Sequence, residues 1–297
     1  MFVPSIAQAI SRPSNDPNSL AVLAPFVAGN PNINYFPDWN NPNGKELVDL
    51  STLSGKTLVL VVISQSNGTN VMPALYTPTN RIGVLNFNFC DGGTYRAPVG
   101  KPIDPLLGCT GNVDFGLPNK WPNGNWPGIL ADSMITDGVA VNVIVATMGV
   151  GGSYVADWAV GGSNNPRIGV MANRLTVAGL SPSAVLYCQG ESDNGHTSQA
   201  AYTTSGNSMI STCRGFWPTT PIFIAQMSYI NSLTDSNVTA AQAALVNRSN
   251  GVWAGPNGDS LTGANRQSDN THWSTTGGAA FAAAWKTALA AYGSPFV

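Results

Sequence analysis

Charge is what this sequence has least of. Lys and Arg number 13, and Asp and Glu 15, in 297 residues, only 9% of the chain, for a net charge of -2. Without a basic stripe there is no electrostatic footprint for nucleic acid, and without a polybasic run there is none for anionic lipid. Long hydrophobic runs are absent too. The longest, around Leu58 to Ile63 and Val139 to Ala146, have the length of strands, far short of the ~18 to 20 residues of a membrane span. Neither His-Glu-x-x-His nor a Cys/His cluster is present, and no Gly-Lys-Ser/Thr follows the glycine-rich stretches, so no metal and no other cofactor is expected. Histidine is almost missing: His196 and His272 are the whole supply. Any imidazole chemistry must use one of them.

Gly, Asn, Ser and Thr fill the polar positions that charges leave, and they suit a neutral, hydroxylated partner. The four cysteines, Cys90, Cys109, Cys188 and Cys213, allow three pairings. We expect Cys90 with Cys109 and Cys188 with Cys213, with four buried free thiols as the alternative. The first pair would close a loop of about 20 residues, which chain entropy values at roughly 3 kcal/mol. Disulfides, low charge and an Asn-rich surface together predict a secreted or extracellular protein. The apolar start, Met1 to Ala9, lacks the basic residues and length of a complete secretion signal. Of the sequons at Asn67, Asn237 and Asn247, a glycan on Asn67 would block the nucleophile considered below.

Length and pattern predict one main domain, residues 56–297, preceded by an irregular extension, residues 1–55, rich in Pro and Asn over residues 11–43 and packed on the surface. Beyond Gly55, apolar segments of strand length alternate with helical ones. Strands are predicted at 57–64, 82–87, 139–147, 184–188 and 222–226, and helices at 128–136, 167–178, 199–216, 238–247 and 275–291. The strands are continuously apolar, as a parallel sheet covered on both faces requires. Alternation with right-handed crossovers implies a three-layer α/β/α sandwich around a doubly wound, mostly parallel, five-stranded sheet. Such sheets bind ligands outside the carboxyl ends of their strands. Ser64 to Asn70, Gly149 to Trp158 and Gln189 to Asp193 each follow a predicted strand. A long loop from Phe89 to Asn125, rich in Gly, Pro and Asn, is expected near the same rim.

A serine hydroxyl is a weak nucleophile until an imidazole takes its proton and a carboxylate orients that imidazole. Ser66 sits where a strand gives way to the turn-prone Asn67-Gly68-Thr69-Asn70, and Asp269-x-x-His272 lies ahead of the last predicted helix, which Ser274 or Thr275 can cap. A three-residue offset lets one loop present Asp269 and His272 together. Gly151 and Gly152 offer backbone N–H groups to an oxyanion, and Gln189 can add its amide. Glu191 reads first as a loop-holding carboxylate and Asp193 as a cap. His196 lies in a polar turn and is left to the rim. Gly258-Asp259-Ser260-Leu261 is a decoy: it stands late in the chain after no strong strand, and Ser66 is the better nucleophile.

These segments, in this order, resemble the SGNH hydrolase superfamily, in the branch of sialate O-acetylesterases and acetylxylan esterases. That branch reads Gly-Gln-Ser-Asn where this chain has Ser64-Gln65-Ser66-Asn67, and Gly-Gly-Thr with a Trp beyond where it has Gly151-Gly152-Ser153-Tyr154-Val155-Ala156-Asp157-Trp158. Gln-Gly-Glu-x-Asp stands intact at Gln189 to Asp193, and Asp-x-x-His with an aromatic residue at Asp269 to Trp273. Ser64 for Gly and Ser153 for Thr are departures, and the first 50 residues have no counterpart. The resemblance implies a flavodoxin-like SGNH fold and a Ser66–His272–Asp269 triad. It implies an oxyanion hole of the Ser66 N–H, Gly151 or Gly152 and Gln189, with Gln65, Asn67 and Glu191 in support. It also implies removal of acetyl groups from an oligo- or polysaccharide. Trp158, Trp273 and Tyr154, with Trp121 and Trp126 in predicted loops, are candidates to stack on sugar rings, against core packing for most of them. A carbohydrate-binding or virion surface module, and a short-chain lipase or polyester hydrolase, are the alternatives.

Overall fold

The computed structural model describes residues 44–109 and 123–297. Most of the expected extension, and Trp121, lie outside the described residues. Eight strands form one sheet: β1 (Glu46–Leu47), β2 (Thr57–Ser64), β3 (Val84–Phe87), β4 (Thr94–Arg96), β5 (Asn142–Thr147), β6 (Ala184–Cys188), β7 (Ile222–Gln226) and β8 (Val252–Asn257). Their order is β1-β4-β3-β5-β2-β6-β7-β8. All neighbours from β3 to β8 pair in parallel, while β4 and β1 extend the β3 edge antiparallel.

The helices are α1 (Trp126–Thr136), a single turn α2 (Val155–Trp158), α3 (Asn165–Val177), α4 (Gln199–Phe216), α5 (Ser236–Leu245) and α6 (Thr275–Tyr292). Strand alternation feeds two cores. Val59, Val61 and Ile63 of β2 point with Ile144, Val185 and Ile224 toward α3, α4 and α5, represented by Met171, Met209 and Leu245. Leu58, Leu60 and Val62 point with Val143, Leu186 and Phe223 toward Leu130 of α1 and Trp285 of α6. Near-complete burial of Leu58 through Ile63 therefore reflects two covered faces, and the three-layer reading holds.

The expected five-stranded sheet is larger than predicted. All five predicted strands form; β8 is not among the predicted ones, because Gly255 and Pro256 interrupt its apolar pattern and, as an edge strand, it is only partly buried. β1 and β4, two and three residues long, are too short to carry a period. Taken alone, the parallel strands β2, β5, β6, β7 and β8 are arranged 2-1-3-4-5, the flavodoxin-like order. Its direction of winding reverses between β2 and β6. The crevice beyond their carboxyl ends is where such a sheet receives a ligand, and Ser66 and Gln189 follow those two strands.

The disulfide expectation is corrected: all four cysteines are free thiols. Cys188 faces the α1/α6 core and Cys213 the α3/α4/α5 core, so the sheet itself separates them. Cys109 is engaged instead with Asn70, whose Nδ2 donates to its Sγ at 3.4 Å. Burial pushes the Cys90 thiol up to about 11 and those of Cys109 and Cys213 to about 12, which leaves them unreactive. The compositional case for an oxidising compartment loses this support. Alkylation of the denatured, unreduced chain should therefore add four labels by intact mass, and reductant should leave the thermal midpoint unchanged; two labels or fewer would restore the paired reading.

Candidate active site

At the end of β2 the chain enters a single 3-10 turn, Ser66–Gly68, closed by bonds from Gly68 N to Gln65 O and from Thr69 N to Ser66 O. The Ser66 Oγ lies 3.0 Å from His272 Nε2, and His272 Nδ1 lies 2.6 Å from Asp269 Oδ2. A carboxylate can only accept, so the proton of a neutral ring sits on Nδ1 and the Nε2 lone pair faces the serine hydroxyl. Asp269 Oδ1 also accepts from the backbone N–H groups of Thr271 and His272, at 2.9 and 3.0 Å. Burial raises this carboxyl, but the bonds from His272 and Thr271 outweigh burial and bring it down to about 2. It is ionised throughout the neutral range, as an imidazole-orienting group must be.

The two residues beside Ser66 hold this arrangement. Asn67, fully buried, uses its whole amide. Its Oδ1 accepts from Trp273 N at 3.0 Å, and its Nδ2 donates to Thr271 O at 3.1 Å and to Glu191 Oε1 at 2.7 Å. Those backbone partners are the residues on either side of His272. On the other side, Gln65 Oε1 accepts from Gly190 N, Ser192 N and Gln189 Nε2, which ties the Ser66 turn to the loop after β6. Beneath both loops lies an aromatic slab. Trp126 donates from Nε1 to Asn67 O at 3.0 Å and stacks on Trp285, while Trp273 stacks on Phe281. Arg266 caps Trp273, its guanidinium carbon 3.7 Å from the ring centre, and donates to Leu261 O, Thr271 O and Gly258 O.

The glycine turn follows β5 and is fastened to β2 by Val150 N donating to Ser64 O at 3.0 Å. Gly152 has φ +70, a left-handed conformation that glycine adopts without strain. Gln189 needs correction as an oxyanion donor. It is fully buried, and its amide already faces Ser153 O at 3.0 Å, Asp193 Oδ2 at 2.5 Å and Gln65 Oε1 at 3.2 Å. Two amide hydrogens already meet three acceptors, so Gln189 holds the glycine turn in place. Asp193 exceeds a cap in the same way, accepting from Val155 N and Thr197 Oγ1.

Two stacking candidates are also corrected. Trp158 and Trp273 are fully buried, as is Trp126; Trp158 donates to Ser153 Oγ at 3.0 Å, and none has a ring face free for a sugar. Tyr154 is 40% exposed and lies edge-on to His196, ring centres 6.3 Å apart. The decoy does follow a strand, β8, contrary to expectation. Even so, the Ser260 hydroxyl donates to Asn257 O, while Asp259 accepts from Ser228 N, Ser228 Oγ and Tyr229 N. Arg266 was missed by sequence reasoning, since no spacing distinguishes a buried carbonyl-binding Arg; Trp126, expected in a loop, instead opens α1 and donates to Asn67 O. Among the described residues, no group of three His, Cys, Asp or Glu side chains could hold a metal, and no helix is long and apolar enough to cross a membrane.

A family model for carbohydrate esterases, the sialic acid-specific acetylesterases, matches residues 126–290, more than half of the chain. The chain belongs to this family. It is a carbohydrate O-acetylesterase by class. The match takes in the glycine turn, Gln189 to Asp193, Asp269 and His272, and begins after Ser66. Among solved structures, a protein from Arabidopsis thaliana is similar at 17% identity and TM-score 0.58, covering 80% of this chain and 98% of its own. A carbohydrate acetylesterase from Xanthomonas citri is similar at 13% identity and TM-score 0.50, covering 78% of this chain and 55% of its own. At these identities the likeness is one of fold. No curated protein sequence matches the chain.

Burial pushes the Glu191 carboxyl of this esterase up from its ordinary 4.5 to about 7, against the Asn67 bond and Arg266, which lower it. The folded chain thus holds a proton that the unfolded chain releases, so stability linked to Glu191 is complete below pH 4.5 and is lost as pH rises through 7. Glu191→Gln does not titrate. Its thermal midpoint relative to wild type should climb as pH rises between those limits and stay level below them, with Asp104, also raised to about 7 by burial, cancelling in the comparison. A flat difference across that range in paired melts would refute the assignment.

Proposed function

We propose that this esterase cleaves acetyl esters of a carbohydrate, an O-acetylated oligo- or polysaccharide, through Ser66 as nucleophile, His272 as base and Asp269 as the orienting carboxylate. The observation that carries this reading is the continuous path from Asp269 Oδ2 through the ring to the Ser66 hydroxyl, 2.6 and 3.0 Å long. As Ser66 Oγ attacks the acetyl carbonyl, its proton passes to His272 Nε2, and the imidazolium is stabilised by ionised Asp269. The carbonyl oxygen gains charge and is met by the Ser66 N–H and a glycine N–H of the 151–152 turn, each donor worth about 3 to 4 kcal/mol in such sites. Collapse breaks the ester bond to the sugar, whose oxygen takes the proton from His272. Water, deprotonated by the same nitrogen, then attacks the acetyl-serine and releases acetate.

Tyr154, the exposed aromatic on the helix-entry side of the glycine turn, supports a sugar-stacking role at the rim. It is 40% exposed and T-shaped to His196, a placement that suits contact with a sugar ring.

Ser66→Ala and His272→Ala should each lower kcat/KM for acetate release from p-nitrophenyl acetate by about 10³-fold or more, and Asp269→Asn by at least about 10²-fold. A panel of acetylated xylan, acetylated sialic acid and p-nitrophenyl esters should place an acetylated carbohydrate first. Ser66→Ala activity equal to wild type would remove the proposed nucleophile, and rates rising with acyl chain length would favour a lipase.

A further inference from the structure

We propose that Glu191 is a positioning residue that acts through Asn67 to seat His272 against Ser66, and that it does so as a hydrogen-bond acceptor whose charge is not required. The inference rests on the esterase reading above and assigns a role within it.

Glu191 is 1% exposed and stands behind Asn67, so it has no route to a substrate. One carboxyl oxygen, Oε1, receives Asn67 Nδ2 at 2.7 Å; the other, Oε2, is buried with no hydrogen-bond partner. An oxygen left unmet this deep makes ionisation costly, so accepting from Asn67 is the one hydrogen-bonding task this carboxyl side chain performs toward the site. One accepting oxygen is what Asn67 requires. With Oδ1 on Trp273 N and one hydrogen on Thr271 O, the second Nδ2 hydrogen points to Glu191. Remove that acceptor and a buried N–H is orphaned, which favours rotation of the amide away from the two backbone groups that flank His272.

Glu191 is itself fixed from behind. It opens the 3-10 turn Glu191–Asp193, Gly190 before it has φ +153, and Ser192 N is bonded to Gln65 Oε1. The charged or titratable groups around it are Arg266, Asp259, Cys188 and Tyr202. The Arg266 guanidinium is engaged with three carbonyls, so it offers Glu191 field but no bond.

The test is steady-state hydrolysis of p-nitrophenyl acetate by the full chain, with Ser66→Ala as control. Misplacing a reacting group by about 1 Å costs on the order of 10²-fold. Glu191→Ala should therefore lower kcat by about 10- to 100-fold with KM within about twofold. Glu191→Gln, which keeps the acceptor and removes the charge, should stay within about threefold of wild type with an unchanged kcat–pH profile. Asn67→Asp, which is isosteric but presents an acceptor where a donor is needed, should fall at least as far as Glu191→Ala. In Asn67→Ala the added Glu191→Ala change should have no further effect, since the two act in series. Glu191→Gln as poor as Glu191→Ala, an unchanged kcat in Glu191→Ala, or losses that multiply would each overturn the proposal. If Ser66→Ala were as active as wild type, the esterase reading itself would fall; if it were inactive while Glu191→Ala kept full kcat, only the positioning role would.

Discussion

The amide of Asn67 is the joint on which the site depends. Ser66 and His272 are 206 residues apart in the chain, and the His272 loop belongs to no strand of the sheet. Parallel pairing alone cannot set its height above β2. Asn67, one residue beyond Ser66, grips the backbone on both sides of His272, at Thr271 O and Trp273 N. Asn67 is also held from below, where Trp126 donates to its backbone carbonyl, and from the side, where its Nδ2 donates to Glu191. Every donor and acceptor of the Asn67 side chain is satisfied away from water, the condition under which a buried polar network is rigid.

A division of labour follows from the winding of the sheet. Between the parallel neighbours β2 and β6 the direction of winding reverses, and the crevice there is lined from both sides. Gln65 faces the loop after β6 and Asn67 faces the loop before α6, so the residues flanking Ser66 splint two different partners. Through Gln189 and Asp193 the first splint continues to Ser153, at the end of the glycine turn, and to Val155, which opens α2. Ser260, at the end of an outer strand, has no such crevice. Its neighbour Asp259 is engaged in holding residues 228 and 229.

The parallel strands of the centre were legible because burial on both faces makes them continuously apolar, as Leu58 to Ile63 shows. β8 was not, because an edge strand needs no such run and tolerates Pro256. Ser66, Asp269 and His272 could be read from residue chemistry and local spacing, with two histidines in the chain narrowing the choice. Gln189 and Trp273 were misread for a shared reason. Sequence reveals that a polar or aromatic side chain lies beside a motif, but burial decides whether its face or its amide is still available. The cysteine pairing failed likewise, since nothing in the spacing of Cys188 and Cys213 reveals that a sheet runs between them.

The most direct test of the account is covalent: treatment of the native protein with a fluorophosphonate, intact mass, then peptide mapping. One adduct per chain, carried by Ser66 and prevented by His272→Ala, is the predicted result. An adduct on Ser260, or none on a folded and acetate-releasing protein, would contradict the mechanism drawn from this site.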